Sequence, residues 1–245
     1  MSPFPRPAGA LPLLAALAAA AGACGDDGKG ITTAPSAASV RLVQAVPDAG
    51  GVDVLVDGRP IGTDIHYKQS IDYTPLTAGS HVVAVRATGT SSDAFSAPIA
   101  LGTGASYTIV ARGRLSATGG TFGVGSDVLL DDAAPATGRV SLRVLHAAPG
   151  AVPVDVFLTA PGVALGTVTP TINALSYGGG GSYANDVLAG SYELRVTRSG
   201  TTDVLADLPA LLLTPGQART VIVVGDPTLT QPIELLSFVD RTASP

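Results

Sequence analysis

The sequence predicts an all-β protein with two tandem Ig-like antiparallel β-sandwich domains, preceded by a signal peptide and a short tether. Three observations predict this fold class. First, the segment Val40–Val56, VRLVQAVPDAGGVDVLV, is similar to the segment Leu142–Leu158, LRVLHAAPGAVPVDVFL. Second, short apolar stretches alternate with the two-residue period of strands. Third, the 245 residues include 30 glycines and 19 prolines, which divide the apolar stretches with turn signals.

The internal repeat has the length of a whole domain. Pro47 and Asp53 align with Pro149 and Asp155 at one offset of 102 residues. A period of about 100 residues exceeds the 20–50 residues typical of solenoid units. We therefore predict one β-sandwich over residues 39–136 and a second over residues 137–245, joined by the short polar segment DDAAPATG.

Strand periodicity appears in both repeats. In Val52–Asp57 the valines occupy every second position, and Tyr192–Thr197 alternates apolar with polar side chains. Turn residues separate such runs every 8–12 residues, which predicts about seven strands per repeat. The nearest candidate helix after the signal peptide, Leu208–Leu213, is interrupted by Pro209.

The offset between the repeats grows along the chain. Ile61–Thr63 matches Leu165–Thr167 at an offset of 104. At an offset of 110, two tyrosines of the first repeat match two of the second: Tyr67 with Tyr177, and Tyr73 with Tyr183. This step predicts an insertion within residues 168–176 of the second repeat.

The N-terminal segment has the features of an export signal. Arg6 is the only charged residue before Cys24, and the apolar run Leu11–Ala21 is too short to span a bilayer. Ala21–Cys24, three small residues and a cysteine, resembles the lipobox of bacterial lipoproteins. That resemblance implies cleavage before Cys24 and acylation of its sulfur, so residues 1–23 are the predicted lipoprotein signal peptide. The alternative is an ordinary secretory signal cut near Ala23.

Acylation at Cys24 predicts the membrane as a partner, through a lipid anchor. Residues 24–38 are mostly small and polar, as in a flexible tether. The expected location is the bacterial cell envelope, on the periplasmic or the surface side.

Residues 43–58 and 145–158, VQAVPDAGGVDVLVDG and LHAAPGAVPVDVFL, resemble the opening motif of domain-of-unknown-function family 4397. The turn and strand start Leu188–Tyr192 is also similar to that family. The resemblance extends over both repeats and implies bacterial export, tandem copies and a sandwich fold. It supplies no catalytic residues.

The opening motif contains the most conspicuous polar residues. His146 is a candidate metal ligand or general base, or it hydrogen-bonds the following loop; the equivalent Gln44 is a poor transition-metal ligand and favours the structural role. Asp53 and Asp155 either bind backbone amides or contribute to a calcium site, in the first repeat with Asp48 and Asp57 as helper residues. We predict no metal, and we assign a structural role to the motif, namely Pro47, Asp53, Pro149, Asp155 and His146.

A second group of residues surrounds the glycine run. The candidate binding loop consists of Tyr177, Gly178, Gly179, Gly180, Gly181 and Tyr183. The four repeated tyrosines form either a sugar- or peptide-stacking surface or rim packing of the sandwiches.

Composition and the lack of catalytic motifs limit the classes of function that the sequence allows. The net charge of −5 and the lack of a basic cluster argue against nucleic acid as a partner. The sequence contains no G-x-S-x-G, H-E-x-x-H or P-loop motif. We therefore predict a non-enzymatic, lipid-anchored binding or structural module without a cofactor, whose partner is an envelope protein or a glycan. The alternatives are an envelope hydrolase with a non-standard active site and an inert spacer.

Overall fold

The computed structural model describes residues 37–117 and 120–242, and these residues form sixteen strands, eight in each repeat. The prediction of an all-β protein with two tandem sandwiches is confirmed. Each repeat has eight strands, where the sequence predicted about seven. The predicted signal peptide, Cys24 and all but the last two residues of the tether lie outside the described residues, and Ala37 already begins the first strand.

The first repeat is a sandwich of two four-stranded sheets. Its strands are β1 (Ala37–Ala45), β2 (Gly51–Val56), β3 (Arg59–His66), β4 (Ser70–Thr77), β5 (Gly79–Ala87), β6 (Phe95–Leu101), β7 (Ser106–Arg112) and β8 (Gly125–Leu130). The inner sheet has the order β4-β1-β7-β8, and the outer sheet has the order β3-β2-β5-β6.

The second repeat has the same topology. Its strands are β9 (Arg139–His146), β10 (Val154–Thr159), β11 (Ile172–Leu175), β12 (Ala184–Leu188), β13 (Gly190–Arg198), β14 (Val204–Leu213), β15 (Ala218–Asp226) and β16 (Gln231–Arg241). Its inner sheet is β12-β9-β15-β16 and its outer sheet is β11-β10-β13-β14. Leu208–Leu213, the nearest helix candidate, belongs to β14.

One strand pair in each inner sheet is parallel, β1 with β7 and β9 with β15, whereas the other pairs are antiparallel. These four strands are buried along most of their length. Continuous burial is expected of strands whose sheet is covered on both faces, and it requires apolar or paired side chains on both sides of the strand.

Three layers of apolar side chains cover the faces of the inner sheets. One lies between the two sheets of the first repeat and includes Val52, Val54 and Val85, and a second fills the second repeat around Leu194 and Val196. The third layer joins the two inner sheets across the repeats and consists of Val43, Ala45, Val110, Leu145, Ala147, Ile222 and Val224. The four sheets therefore form one stack, in which each repeat keeps its own core and the inner sheets pack face to face.

The structure corrects the predicted position of the insertion. Val54 pairs with Gly62 in the first repeat, and the equivalent Val156 pairs with Ile172 in the second. Leu165–Thr167, which the sequence aligns with Ile61–Thr63, instead forms a 3-10 turn within the β10–β11 connection. The insertion therefore lies between Thr159 and Ile172, because three residues are too few to define a strand register.

Among the described residues, no helix has the length and apolar character needed to cross a bilayer.

Candidate functional site

Two arginines at equivalent positions lie buried between the inner sheets. Arg41 of β1 donates from Nε to Thr108 Oγ1 over 3.1 Å and from Nη1 to the carbonyl of Val239 over 3.1 Å. Its Nη2 also forms an ion pair with Asp240 of the second repeat. Since Arg41 belongs to the first repeat, this contact crosses the interface.

Arg143 of β9 makes the reciprocal contacts. Its Nε donates to Thr220 Oγ1 over 2.8 Å, and its Nη1 donates to the carbonyl of Leu130 over 2.9 Å. Its Nη2 forms an ion pair with Asp131 of the first repeat. Since each repeat contributes the arginine of one pair and the aspartate of the other, the two pairs indicate a local two-fold axis between the repeats.

Hydroxyl groups close these contacts into a ring. Thr108 Oγ1 donates to Asp131 Oδ2 over 2.7 Å, and Thr220 Oγ1 donates to Asp240 Oδ2 over 2.6 Å. We call the resulting cycle the buried ring; its six members are Arg41, Thr108, Asp131, Arg143, Thr220 and Asp240. Every buried charge in this cycle thus has an opposite charge and additional hydrogen bonds, which a buried ion pair requires.

Two tyrosines complete the buried ring. Tyr73 and Tyr183 each donate a hydroxyl hydrogen over 2.7 Å, to Asp131 and Asp240 respectively. The guanidinium of Arg143 lies 4.3 Å from the ring centre of Tyr183, which is within cation-π distance. Burial raises the pKa of Asp131, although the hydrogen bond from Tyr73 and the charge of Arg143 act in the opposite direction.

Sequence reasoning missed the buried ring. The sequence places Asp131 in the segment joining the repeats, but this residue is almost fully buried. The available signal was the recurrence of arginine at positions 41 and 143, in the middle of strands that are otherwise apolar. Sequence alone did not indicate that another sheet covers this face.

His146 and its counterpart Gln44 make the same local contact. Gln44 Oε1 accepts a hydrogen bond from the amide of Val46, and His146 Nδ1 accepts one from the amide of Ala148 over 3.3 Å. The His146 side chain is fully buried, and burial lowers its pKa. The His146 imidazole that accepts this hydrogen bond is therefore neutral at pH 7. The motif prolines Pro47 and Pro149 are both buried in the turns that follow β1 and β9.

The two motif aspartates bind neighbouring loops. Asp53 Oδ1 accepts hydrogen bonds from the amide of Asp64 and the hydroxyl of Thr88, both over 2.9 Å. Asp155 accepts from the amides of Ala174 over 2.7 Å and Gly200 over 2.8 Å. Although burial acts to raise it, the pKa of Asp155 is lowered by these amide donors.

The helper residues of the calcium alternative bind other segments. Asp48 accepts from the amides of Leu115 and Ser116, and Asp57 accepts from His81 and Val82. Over residues 37–117 and 120–242, no cluster of three histidine, cysteine or acidic side chains has metal-site geometry.

The glycine run follows the edge of β9. Gly178 donates its amide hydrogen to the carbonyl of His146 over 2.7 Å, His146 donates to the carbonyl of Gly179 over 3.0 Å, and Gly181 donates to Val144 over 3.0 Å. Gly180 adopts a φ of 93°, and a Cβ atom there would lie 1.9 Å from the Val144 oxygen. Only glycine permits this close approach.

The tyrosines of the candidate binding loop face the first repeat. Tyr177 packs edge-on against Phe122 with ring centres 5.3 Å apart, and the Arg112 guanidinium lies 4.8 Å from its centre. Tyr183 belongs to the surroundings of the buried ring. The assignment of this segment as a binding loop stays a prediction, since its described contacts are made with the protein itself.

The β10–β11 insertion covers the outer sheet of the second repeat. Gly162 donates its amide hydrogen to Glu193 over 3.0 Å, and Arg195 Nη2 donates to the carbonyl of Val163 over 2.6 Å. In the first repeat the equivalent connection is only the turn Asp57-Gly58 between β2 and β3. The repeats therefore differ most at this outer surface.

The insertion forms one wall of an open cleft of about 500 Å³. Asp155 and Phe157 of β10 and residues of the β13–β14 turn also line it. The remaining lining residues are Leu165, Gly166, Val168, Pro170, Gly200, Thr201, Thr202 and Asp203. We call this the insertion cleft; it combines apolar surface with hydroxyl and carboxylate groups, as ligand sites commonly do.

The fold defines a class: a double β-sandwich whose two repeats share one topology and one buried interface. The profile described as "Domain of unknown function (DUF4397)" matches residues 38–157 and 140–245. The chain therefore belongs to this family, in two tandem copies, and the resemblance noted from the opening motif is confirmed.

No curated protein matches this chain. Among solved structures, it is similar to a family 26 carbohydrate-binding module from Eubacterium rectale in complex with maltoheptaose, with 9% identity, a TM-score of 0.27, and coverage of 84% of this chain and 98% of that one. It is also similar to a candidate cell adhesion protein from Bacteroides fragilis, with 10% identity, a TM-score of 0.20, and coverage of 84% and 99%. TM-scores this low do not support an inference about function.

Proposed function

We propose that this protein is a non-catalytic binding module of the bacterial cell envelope, held to a membrane by acylated Cys24. The insertion cleft carries this proposal. The two repeats share topology, opening motif and buried ring, and they differ at the outer surface where the insertion adds a wall to the second repeat. A difference of this kind on a rigid scaffold is typical of loops that bind a ligand.

The expected ligand is a glycan or an exposed segment of an envelope protein. The rim of the insertion cleft offers the hydroxyl of Thr202 and the carboxylate of Asp203, which can hydrogen-bond polar ligands. Val168 and Pro170 offer apolar surface beside them. The buried ring supports this role by holding the two sandwiches in one orientation.

The first experiment replaces residues 160–170 with Gly58-Arg59-Pro60, the aligned residues from the turn and the start of β3 in the first repeat. Binding to a glycan array and to purified peptidoglycan sacculi is compared between this variant and the wild type. We expect at least tenfold weaker binding with an unchanged β-sheet circular dichroism spectrum. A second variant, Gly166→Phe, adds a large side chain to a residue that lines the insertion cleft, and a Cβ atom at Gly166 meets no atom within 4 Å.

Gly50→Phe is the matched control, since Gly50 is also open to solvent and lies in the first repeat. Binding that survives both cleft variants would place the site elsewhere. Turnover of an envelope glycan that His146→Ala abolishes would replace the binding module with the hydrolase alternative.

The lipid anchor has its own test. Cells expressing the protein are fed an alkynyl fatty acid, and the labelled chain is detected after membrane fractionation. We expect label and membrane association in the wild type, and loss of both in Cys24→Ser. An unlabelled Cys24 in a chain cleaved near Ala23 would indicate the ordinary secretory signal.

A further inference from the structure

Arg114 and Asp226 occupy equivalent positions in the two repeats. Each is separated by 112 residues from its counterpart, as are Thr108 from Thr220 and Gly113 from Gly225. Both glycines have a positive φ, 108° and 122°, directly before the residue concerned. The backbone therefore places Arg114 and Asp226 in the same local structure.

These two equivalent residues contact each other. Arg114 Nη2 donates to Asp226 Oδ1 over 2.7 Å, and Arg114 Nε donates to Asp226 Oδ2. The Asp226 carboxylate is fully buried, and the Arg114 side chain is 16% exposed. Two equivalent positions can touch only at the local two-fold axis, so this ion pair lies on the axis that relates the repeats.

The buried ring and the apolar layer between the inner sheets do not distinguish like from unlike repeats. Both repeats carry the arginine, threonine and aspartate of the buried ring, so two copies of the first repeat would form the same cycle from Arg41, Thr108 and Asp131. The apolar layer is also similar, with Val43 and Val110 in one repeat and Leu145 and Ile222 in the other.

We propose that the axis pair Arg114–Asp226 is the specificity determinant that makes unlike repeats pair and prevents like repeats of two chains from pairing. Two first repeats meeting through this face would place Arg114 against Arg114, and two second repeats would place Asp226 against Asp226. Like charges that are held together away from water oppose association, and such repulsion is the usual means of excluding a wrong partner. The ion pair thus favours the interface between the two unlike repeats of one chain.

A second ion pair acts in the same direction. Lys68 Nζ lies 2.5 Å from Glu234 Oε1 across the interface. Lys68 aligns with Gly178 at the offset of 110 residues, and the strand registers make Gly125 the counterpart of Glu234; neither glycine carries a charge. Only an unlike pairing brings Lys68 and Glu234 together, although both are partly exposed and contribute less than the axis pair.

The test follows refolding of the full chain. Wild type, the neutral variant R114Q/D226N and the control R86Q/D93N are unfolded in guanidinium chloride and refolded at low and high protein concentration. The control removes an ion pair that lies within the first repeat, on its surface. Light scattering after size exclusion gives the dimer fraction.

We expect the dimer fraction of R114Q/D226N to rise at least fivefold over wild type at high concentration, whereas R86Q/D93N behaves like wild type. The substitution D226N retains a side-chain oxygen that can accept from the amide of Thr228, so the local turn is preserved. A dimer fraction equal to that of wild type at every concentration would overturn the proposal.

A second measurement requires no refolding. We compare unfolding rates of natively purified R114Q, D226N and the double variant. Each single variant leaves one charge unpaired in the interface, so we expect each to unfold at least tenfold faster than wild type. The double variant should unfold at least tenfold more slowly than the product of the two single effects predicts. Multiplicative effects would show that the two residues are uncoupled, and would refute the assignment.

Discussion

Arg143→Met removes one arginine of the buried ring while keeping a side chain of similar length. Arg143 donates to Thr220, to the carbonyl of Leu130 and to Asp131, and the substitution removes all three bonds. The Asp131 carboxylate then lies between the two inner sheets without its opposite charge. Among the described residues, the hydroxyls of Tyr73 and Thr108 are the donors that remain to it.

The expected loss in the free energy of unfolding follows from these contacts. Breaking a buried ion pair by removing one partner costs about 3–5 kcal/mol, because the other charge stays buried. Since Asp131 keeps two donors, the lower end applies, and we expect a loss of about 3 kcal/mol. A typical domain has about 5–15 kcal/mol of stability, so this loss is large.

Equilibrium unfolding in guanidinium chloride, followed by far-ultraviolet circular dichroism, measures this loss. Arg41→Met is the symmetric variant and should lose a similar amount, because Asp240 keeps Tyr183 and Thr220 as donors. Arg86→Met is the control; its ion pair with Asp93 lies at the surface, and about 1 kcal/mol or less is expected. A loss below about 1 kcal/mol in Arg143→Met would refute the view that the buried ring holds the repeats together.

Three further predictions concern single residues of the second repeat. His146→Gln introduces the residue of the first repeat. Because burial lowers the pKa of His146 from 6.5, the stability that neutral His146 contributes is present above pH 6.5 and is lost as pH falls. The variant should therefore lose less stability than wild type between pH 7 and pH 5 in guanidinium titrations, and equal losses would contradict this. Gly180→Ala should lower the free energy of unfolding by about 3 kcal/mol or more, since its Cβ would lie 1.9 Å from the Val144 oxygen at a positive φ. Gly89→Ala, with a similar φ and open space around the Cβ, should lower it by only about 1 kcal/mol. Similar thermal unfolding of the two variants would be inconsistent with the close approach at Gly180. Asp155→Ala leaves the amides of Ala174 and Gly200 without their acceptor and should cost about 1–3 kcal/mol at pH 7. Because the Asp155 pKa is lowered, this difference between wild type and variant should shrink as pH falls below 3.8, and a difference that grows instead would disprove the assigned role.

The sequence was informative where structure depends on local pattern. The alternation in Val52–Asp57 predicted the face of β2 that enters the first core, since side chains of a strand point alternately to its two faces. The offset of 102 between the opening motifs predicted two copies of one domain. Both inferences need only neighbouring residues or the comparison of one segment with another.

The position of the insertion was harder to predict. An apolar-Gly-Thr triplet recurs at Leu165–Thr167, but hydrogen bonding between strands places Ile172 opposite Val156. Register depends on which strand lies alongside, and a triplet does not contain that information. The insertion cleft could therefore be located only after β10 and β11 were paired.

By itself, the sequence determined the β-strand content and the duplication, because the first follows from residue periodicity and the second from the comparison of one segment with another. Only the tertiary structure decided that the two inner sheets pack face to face. An arginine in a strand ordinarily indicates a face in water, and Arg41 and Arg143 are buried because each meets an aspartate of the other repeat. Those partners lie 199 and 12 residues away along the chain, and folding alone brings them within reach.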